Sequence, residues 1–232
     1  MRPAAPIPAV LAKTPLFAGL SFEELSRLAA LMHQRSFPAR SSVMTSGQPG
    51  EAVYVILEGS VKVSTIRPDS TEVIFAVLGV GEVVGEMSLA DSLGRSADVV
   101  TLEESTFLWM DPGAFRAKVE EFPAIGTNLT QVLSRRLRLA NTHSRILSAL
   151  DVPGRVAAQI LALAREYGAP SPGGGTFIPI PLTQSDLAAL IGGSRVRVNQ
   201  ALGYFRRHDT ISVDPQHRIT VLDEEVLSRR AR

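Results

Sequence analysis

The 232-residue sequence contains no cysteine. That excludes disulfides, Cys-ligated zinc, iron–sulfur clusters and thiolate catalysis. Histidine is scarce: His33, His143, His208 and His217 show no paired metal-ligand spacing. No uninterrupted apolar run approaches the ~20 residues needed to span a bilayer. The first 17 residues carry too many prolines and too short an apolar core for a signal peptide. A soluble cytoplasmic protein with no membrane role is therefore expected. At 45% apolar, the chain has enough hydrophobic material to offset chain entropy, which excludes disorder as its overall state.

A net charge of +1 conceals an asymmetry. Residues 1–151 carry a net −2, whereas residues 152–232 carry ten Arg against seven Asp and Glu, a net +3. A small basic C-terminal unit is compatible with nucleic-acid binding without establishing it, since an ordinary solvated surface has the same signature.

Phe17, Leu20, Leu25, Leu28, Ala29 and Met32 recur at helical spacing and predict short helices over 14–35. From Ser36 to Met110 the pattern changes. Short apolar runs at 53–57, 61–63, 73–77 and 106–110 are separated by glycines, the pattern of a closed or double-sheet β structure. A cupin-like metal enzyme on such a barrel would need clustered His and carboxylate ligands on facing strands. The stretch 36–110 contains no histidine, so catalysis is not expected.

Asp111 and Pro112 mark a boundary, and Ala124–Leu150 reads as one long helix. Leu133, Leu137, Ala140, Ser144 and Leu147 step by 4, 3, 4, 3, a heptad-like seam suited to pairing with a second copy. Asp151 can cap a new helix with Pro153 in its first turn, which makes 151–153 the best hinge. Residues 169–175 read as a flexible loop. Thr183 and Asp186 have capping-box spacing before Leu187, Leu190 and Ile191; Gly192 and Gly193 turn the chain; Ser194 caps a helix with Val198, Ala201, Leu202 and Phe205 on its apolar face. This is a helix-turn-helix pattern, followed by a hairpin over 211–221, and so a winged helix-turn-helix.

Within the β half, Gly85-Glu86 is followed after eight residues by Arg95-Ser96-Ala97. This segment resembles the phosphate-binding cassette of the cyclic AMP receptor protein (CRP/FNR) family of bacterial regulators, and the resemblance extends over nearly the whole chain. It implies an α+β fold: a cyclic-nucleotide-binding β-roll (double-stranded jelly roll) over 1–123, a dimerisation helix over 124–150 and a winged helix-turn-helix over 151–232. A buried cyclic phosphodiester requires a cation and donors, which Arg95 and Ser96 supply. Glu86 suits the ribose 2′-hydroxyl, and Gly85 permits close backbone approach. The resemblance implies that Arg136 reaches back to Glu86 and that Asn141 contacts the base. Ala140, beside it, has no hydrogen-bonding group. Cyclic AMP is the implied effector, with cyclic GMP, another nucleotide or no effector as alternatives. Haem is not expected, because no cysteine ligand exists and no histidine is expected in the β-roll.

The implied DNA-reading helix starts Ser194-Arg195-Val196-Arg197-Val198-Asn199-Gln200. Arg195 suits bidentate contact with guanine. Val196 stands where the family commonly has Glu, and Gln200 where it has a second Arg. Valine offers apolar contact, such as with a thymine methyl, and glutamine suits adenine. Thr183, Ser194 and Arg197 are candidates for phosphate positioning, and Asn199 lies on the same segment. The implied partners are a second copy through 124–150, palindromic double-stranded DNA and RNA polymerase. Activation and repression are both compatible with the sequence. A ligand-binding or scaffolding dimer without DNA binding is the remaining alternative.

Overall fold

A computed structural model describes residues 7–87 and 94–232. The chain divides into two compact units, Met1–Val63 with Val77–Leu139, and Ser64–Ala76 with Ala140–Arg232. The first opens with α1 (Ile7–Leu11), a 3-10 turn at Pro15–Phe17 and α2 (Phe22–Ala29). A full capping box starts α2: Ser21 accepts from the Glu24 amide while the Glu24 carboxylate accepts from the Ser21 amide.

The strands are β1 (His33–Phe37), β2 (Ser42–Met44), β3 (Val53–Glu58), β4 (Val61–Ile66), β5 (Glu72–Leu78), β6 (Val83–Val84), β7 (Asp98–Thr101) and β8 (Ser105–Met110). They form two four-stranded sheets, ordered β1-β8-β3-β6 and β2-β7-β4-β5. Strands β3 and β8 are the centre of the first. Val53, Val55, Leu108 and Met110 pack with Leu11, Phe17, Leu25 and Leu28 from the helices. On the opposite face, Tyr54 and Phe37 make edge-to-face contacts with Phe107. Burial on both faces explains why 53–56 is uniformly apolar rather than alternating.

The structure moves the first strand boundary. His33 to Ser36 are exposed and polar, so no apolar pattern announces β1; its pairing with β8, His33 opposite Trp109, defines it. The expected helical stretch therefore ran three residues into β1, and one histidine does lie in a strand of this sheet, contrary to expectation. It stacks on Trp109 with ring centroids 4.9 Å apart.

Helix α3 (Pro112–Glu121), N-capped by Asp111, precedes the long helix α4 (Pro123–Ala149). In the second unit, α5 (Val152–Tyr167) is N-capped by Asp151, whose side chain accepts from the Gly154 amide. Helices α6 (Gln184–Ile191) and α7 (Arg195–Arg207) follow, with Gly192 in the left-handed region (φ +60) closing α6 as the sequence requires. The wing exceeds a hairpin. Strands β9 (Ala169–Pro170), β10 (Thr176–Ile178), β11 (Ile211–Val213) and β12 (Ile219–Val221) form a sheet ordered β11-β12-β10-β9. Part of the expected loop at 169–175 is thus a strand. Helix α8 (Glu224–Arg230) ends the chain and was not foreseen. Among the described residues, no helix is long and apolar enough to cross a membrane.

Candidate functional site

The two-residue strand β6 has an acidic residue just before it and another two residues after it. Glu82 and Glu86 have side chains only 8% and 4% exposed. Both face α4. Arg136 Nη1 donates to Glu86 Oε1 at 2.6 Å, and its Nη2 donates to Glu82 Oε2 at 3.1 Å and to the Val83 carbonyl at 2.5 Å. Arg135 adds a bond to Glu82 Oε1 at 2.5 Å. The expected reach from Arg136 to Glu86 is present. Glu82 and Arg135 escaped the sequence reading, although two acids flanking a Val-Val pair and two adjacent arginines were the available signal. The Arg136 Nε atom is buried with no hydrogen-bond partner among the described residues.

Arg95 is buried. Its Nη2 donates to the Ala52 carbonyl at 2.6 Å and its Nη1 to the Gly85 carbonyl at 3.1 Å. Burial pulls the guanidinium below its ordinary pKa, with Tyr54, Glu86 and Glu51 acting in the opposite direction. Gly85 has φ +87, and a Cβ there would lie 2.6 Å from Arg95 Nη1 and 2.8 Å from the Ala52 oxygen. Both the backbone conformation and the space require glycine. Ser96 is exposed, with its hydroxyl 3.5 Å from Met87 Sδ. The cassette between these two flanks, 88–93, lies outside the described residues.

These residues fit a small anion carrying a hydroxyl. A buried guanidinium is held by carbonyl oxygens, Glu86 uses one oxygen on Arg136 and keeps the other to accept, and Arg136 has a buried donor to spare. Among the described residues, no group of His, Asp and Glu could hold a metal ion. Asn141 and Ala140 lie exposed on α4, in the part that clusters with the second unit.

In that second unit, Val198, Ala201, Leu202 and Phe205 are the buried stripe of α7. At 100° per residue, the side opposite this stripe is centred on Val196 and Gln200. Val196 is 67% exposed, and Ser194, Arg195, Arg197, Asn199 and Gln200 are also exposed. Neither the Arg195 nor the Arg197 guanidinium has a partner among the described residues. Asn199 Oδ1 accepts from Gln184 Nε2 at 2.8 Å, which joins the two helices and leaves its own NH2 outward. The Thr183 hydroxyl is engaged inside its capping box, donating to Asp186 Oδ2 at 2.6 Å and accepting from the Asp186 amide. Arg197 and Gln200 also border a cleft of about 490 Å³ with Asp151, Pro153, Tyr204 and Arg230.

Two family models match the chain. The cyclic nucleotide-binding domain matches residues 34–122 and the Crp-like helix-turn-helix domain matches 154–230. A CRP-like cAMP-activated global transcriptional regulator of Mycobacterium tuberculosis is 34% identical over 96% of this chain and 99% of its own length. The cyclic AMP receptor protein of Thermus thermophilus is 32% identical over 87% of this chain and 90% of its own. The chain belongs to the CRP/FNR family. In fold, this CRP/FNR regulator is similar to FixK2 from Bradyrhizobium japonicum, with a TM-score of 0.77 at 17% identity, over 87% of this chain and 98% of that one. It is a cyclic-nucleotide-responsive, DNA-binding transcription regulator and not an enzyme.

Proposed function

We propose that this regulator is a homodimer switched by cyclic AMP. The observation that carries the reading is the Arg136–Glu86 bond beside buried Arg95: it couples the nucleotide-binding residues to the helix proposed to form the dimer. Arg95 holds the phosphate with the Ser96 amide and hydroxyl, Gly85 lets the backbone approach, and Glu86 accepts from the 2′-hydroxyl. Asn141 takes the adenine edge with donor and acceptor. The name of the M. tuberculosis relative, cAMP-activated, supports this choice of nucleotide.

Residues 1–123 are the nucleotide domain, 124–150 the dimer helix and 151–232 the DNA-binding domain. Leu137 is 64% exposed on α4, apolar area that a second copy covers along the heptad seam. Two recognition helices then sit about 34 Å apart, one DNA turn, on a palindromic site. Arg195 reads guanine, Val196 and Gln200 face bases that are not the family's usual ones, and Ser194, Arg197 and Asn199 set register on phosphates. The cytoplasm is the working compartment, and contact with RNA polymerase converts DNA occupancy into activation.

Selecting bound DNA from a random pool with and without cyclic AMP, then measuring anisotropy on the winning sequence, tests the proposal. A palindrome bound at least tenfold more tightly with cyclic AMP supports it. Equal affinity in both conditions removes the switch, and a larger effect of cyclic GMP reassigns the nucleotide.

A further inference from the structure

The sequence marks Asp151–Pro153 as the hinge, because the helix breaks there. The contacts around Arg155 point elsewhere. Arg155 Nε donates to the Leu150 carbonyl at 2.9 Å and Nη2 to the Leu147 carbonyl at 2.5 Å. Its Nη1 reaches the Ile191 and Gly192 carbonyls, each at 3.4 Å. One planar fork thus meets the C-terminal ends of two helices, α4 and α6, where unsatisfied carbonyls concentrate negative partial charge. A lysine ammonium, a single point on a flexible stem, cannot span both ends.

Other contacts lie along the same seam. The Leu190 backbone acts on His143, favouring its protonated form. A Cβ on Gly192 would touch Leu147 Cδ2 at 3.6 Å, and one on Gly193 would touch Val152 Cγ1 at 3.5 Å. His143, Leu147 and Leu150 are spaced by 4 and 3, one face of a helix. In keeping with this, the compact division of the chain falls between Leu139 and Ala140, inside α4 and not at its end.

We propose that Arg155 is a positioning residue that welds the last turns of the long helix to the helix-turn-helix, so that the joint which moves lies N-terminal to His143. The regulatory meaning of this weld rests on the nucleotide-switch reading above; the weld itself does not. The joint then adjoins Asn141, and a base held there acts on the joint directly.

The absence of native cysteine makes the test direct. Arg145→Cys and Ser185→Cys, both at exposed positions, place spin labels on either side of the Asp151 break in the full chain, diluted with unlabelled chain so that only the distance within one subunit is read. A narrow distance distribution, unchanged by cyclic AMP and broadened by Arg155→Ala, is expected. Arg155→Lys broadens it too, and that variant keeps the test decisive should the alanine variant fail to fold. In parallel, Arg155→Ala lowers the cyclic AMP-dependent gain in DNA affinity at least tenfold while changing nucleotide affinity less than twofold. A distance that shifts on adding cyclic AMP to the unsubstituted protein overturns the weld, as does a distribution indifferent to both substitutions. If the unsubstituted protein shows no nucleotide effect on DNA binding, the switch reading fails while the distances still decide the weld.

Discussion

Arg136 and Glu86 are 50 residues apart in sequence and bonded at 2.6 Å, with Glu82 and the Val83 carbonyl on the same guanidinium. Truncation by Arg136→Ala strands the Glu86 carboxylate in a site where it is 4% exposed. Breaking a buried pair costs ~3–5 kcal/mol; with Arg136 24% exposed and Glu82 still bonded to Arg135, about 2 kcal/mol is expected. Urea denaturation measures it. Nucleotide affinity, read by calorimetry, should fall at least tenfold, because Glu86 is no longer held in place.

The exposed seam of α4 predicts its own disruption. Leu137→Glu puts a charge on a side chain that is 64% exposed in one chain, so the monomer fold should be unaffected. Two such charges facing across a two-fold axis repel. Sedimentation velocity should show a shift from dimer to monomer at micromolar concentration, with DNA affinity down at least a hundredfold. A variant that stays dimeric would place the interface elsewhere.

At the DNA-reading surface, Val196→Glu introduces an acceptor at the centre of the exposed stripe of α7. A carboxylate there accepts from cytosine N4, worth ~1–3 kcal/mol of discrimination. Selected sites should change at one position of each half-site, towards cytosine on the contacted strand. The phosphate-dependent salt slope should change little, since no cation is lost.

His143 provides a pH dependence with a definite sign. Burial holds its pKa below the ordinary 6.5, and the Leu190 carbonyl only partly offsets this. The unfolded chain therefore takes up the proton first as pH falls. The contribution to stability is complete above about pH 6.5 and is lost progressively below it. Asp151, held low by the Gly154 amide and by Arg230, titrates below its ordinary 3.8 and so outside this range. The midpoint of thermal unfolding should drop between pH 7.5 and 5.5, and His143→Gln, which cannot titrate, should remove part of that drop.

Much of this protein is written in local chemistry. The caps at Asp151, Thr183 and Ser194, the left-handed glycine after α6, the heptad steps of α4 and the order Gly85-Glu86 to Arg95-Ser96 each lie within about a dozen residues. Their physics is short-range: a side chain answering a nearby amide, an apolar stripe at helical spacing. Strand β1 was invisible because its residues are polar and exposed, and only the partner strand 70 residues away gives it a ladder. Glu82, Arg135 and the carbonyl of Ala52 joined the site for a similar reason, since the bonds that recruit them span 43 to 54 residues. The hinge shows the contrast most clearly. A proline and a capping aspartate told where the helix breaks, but whether a break bends depends on what bridges it, and the carbonyls gathered by Arg155 come together only when the chain has folded.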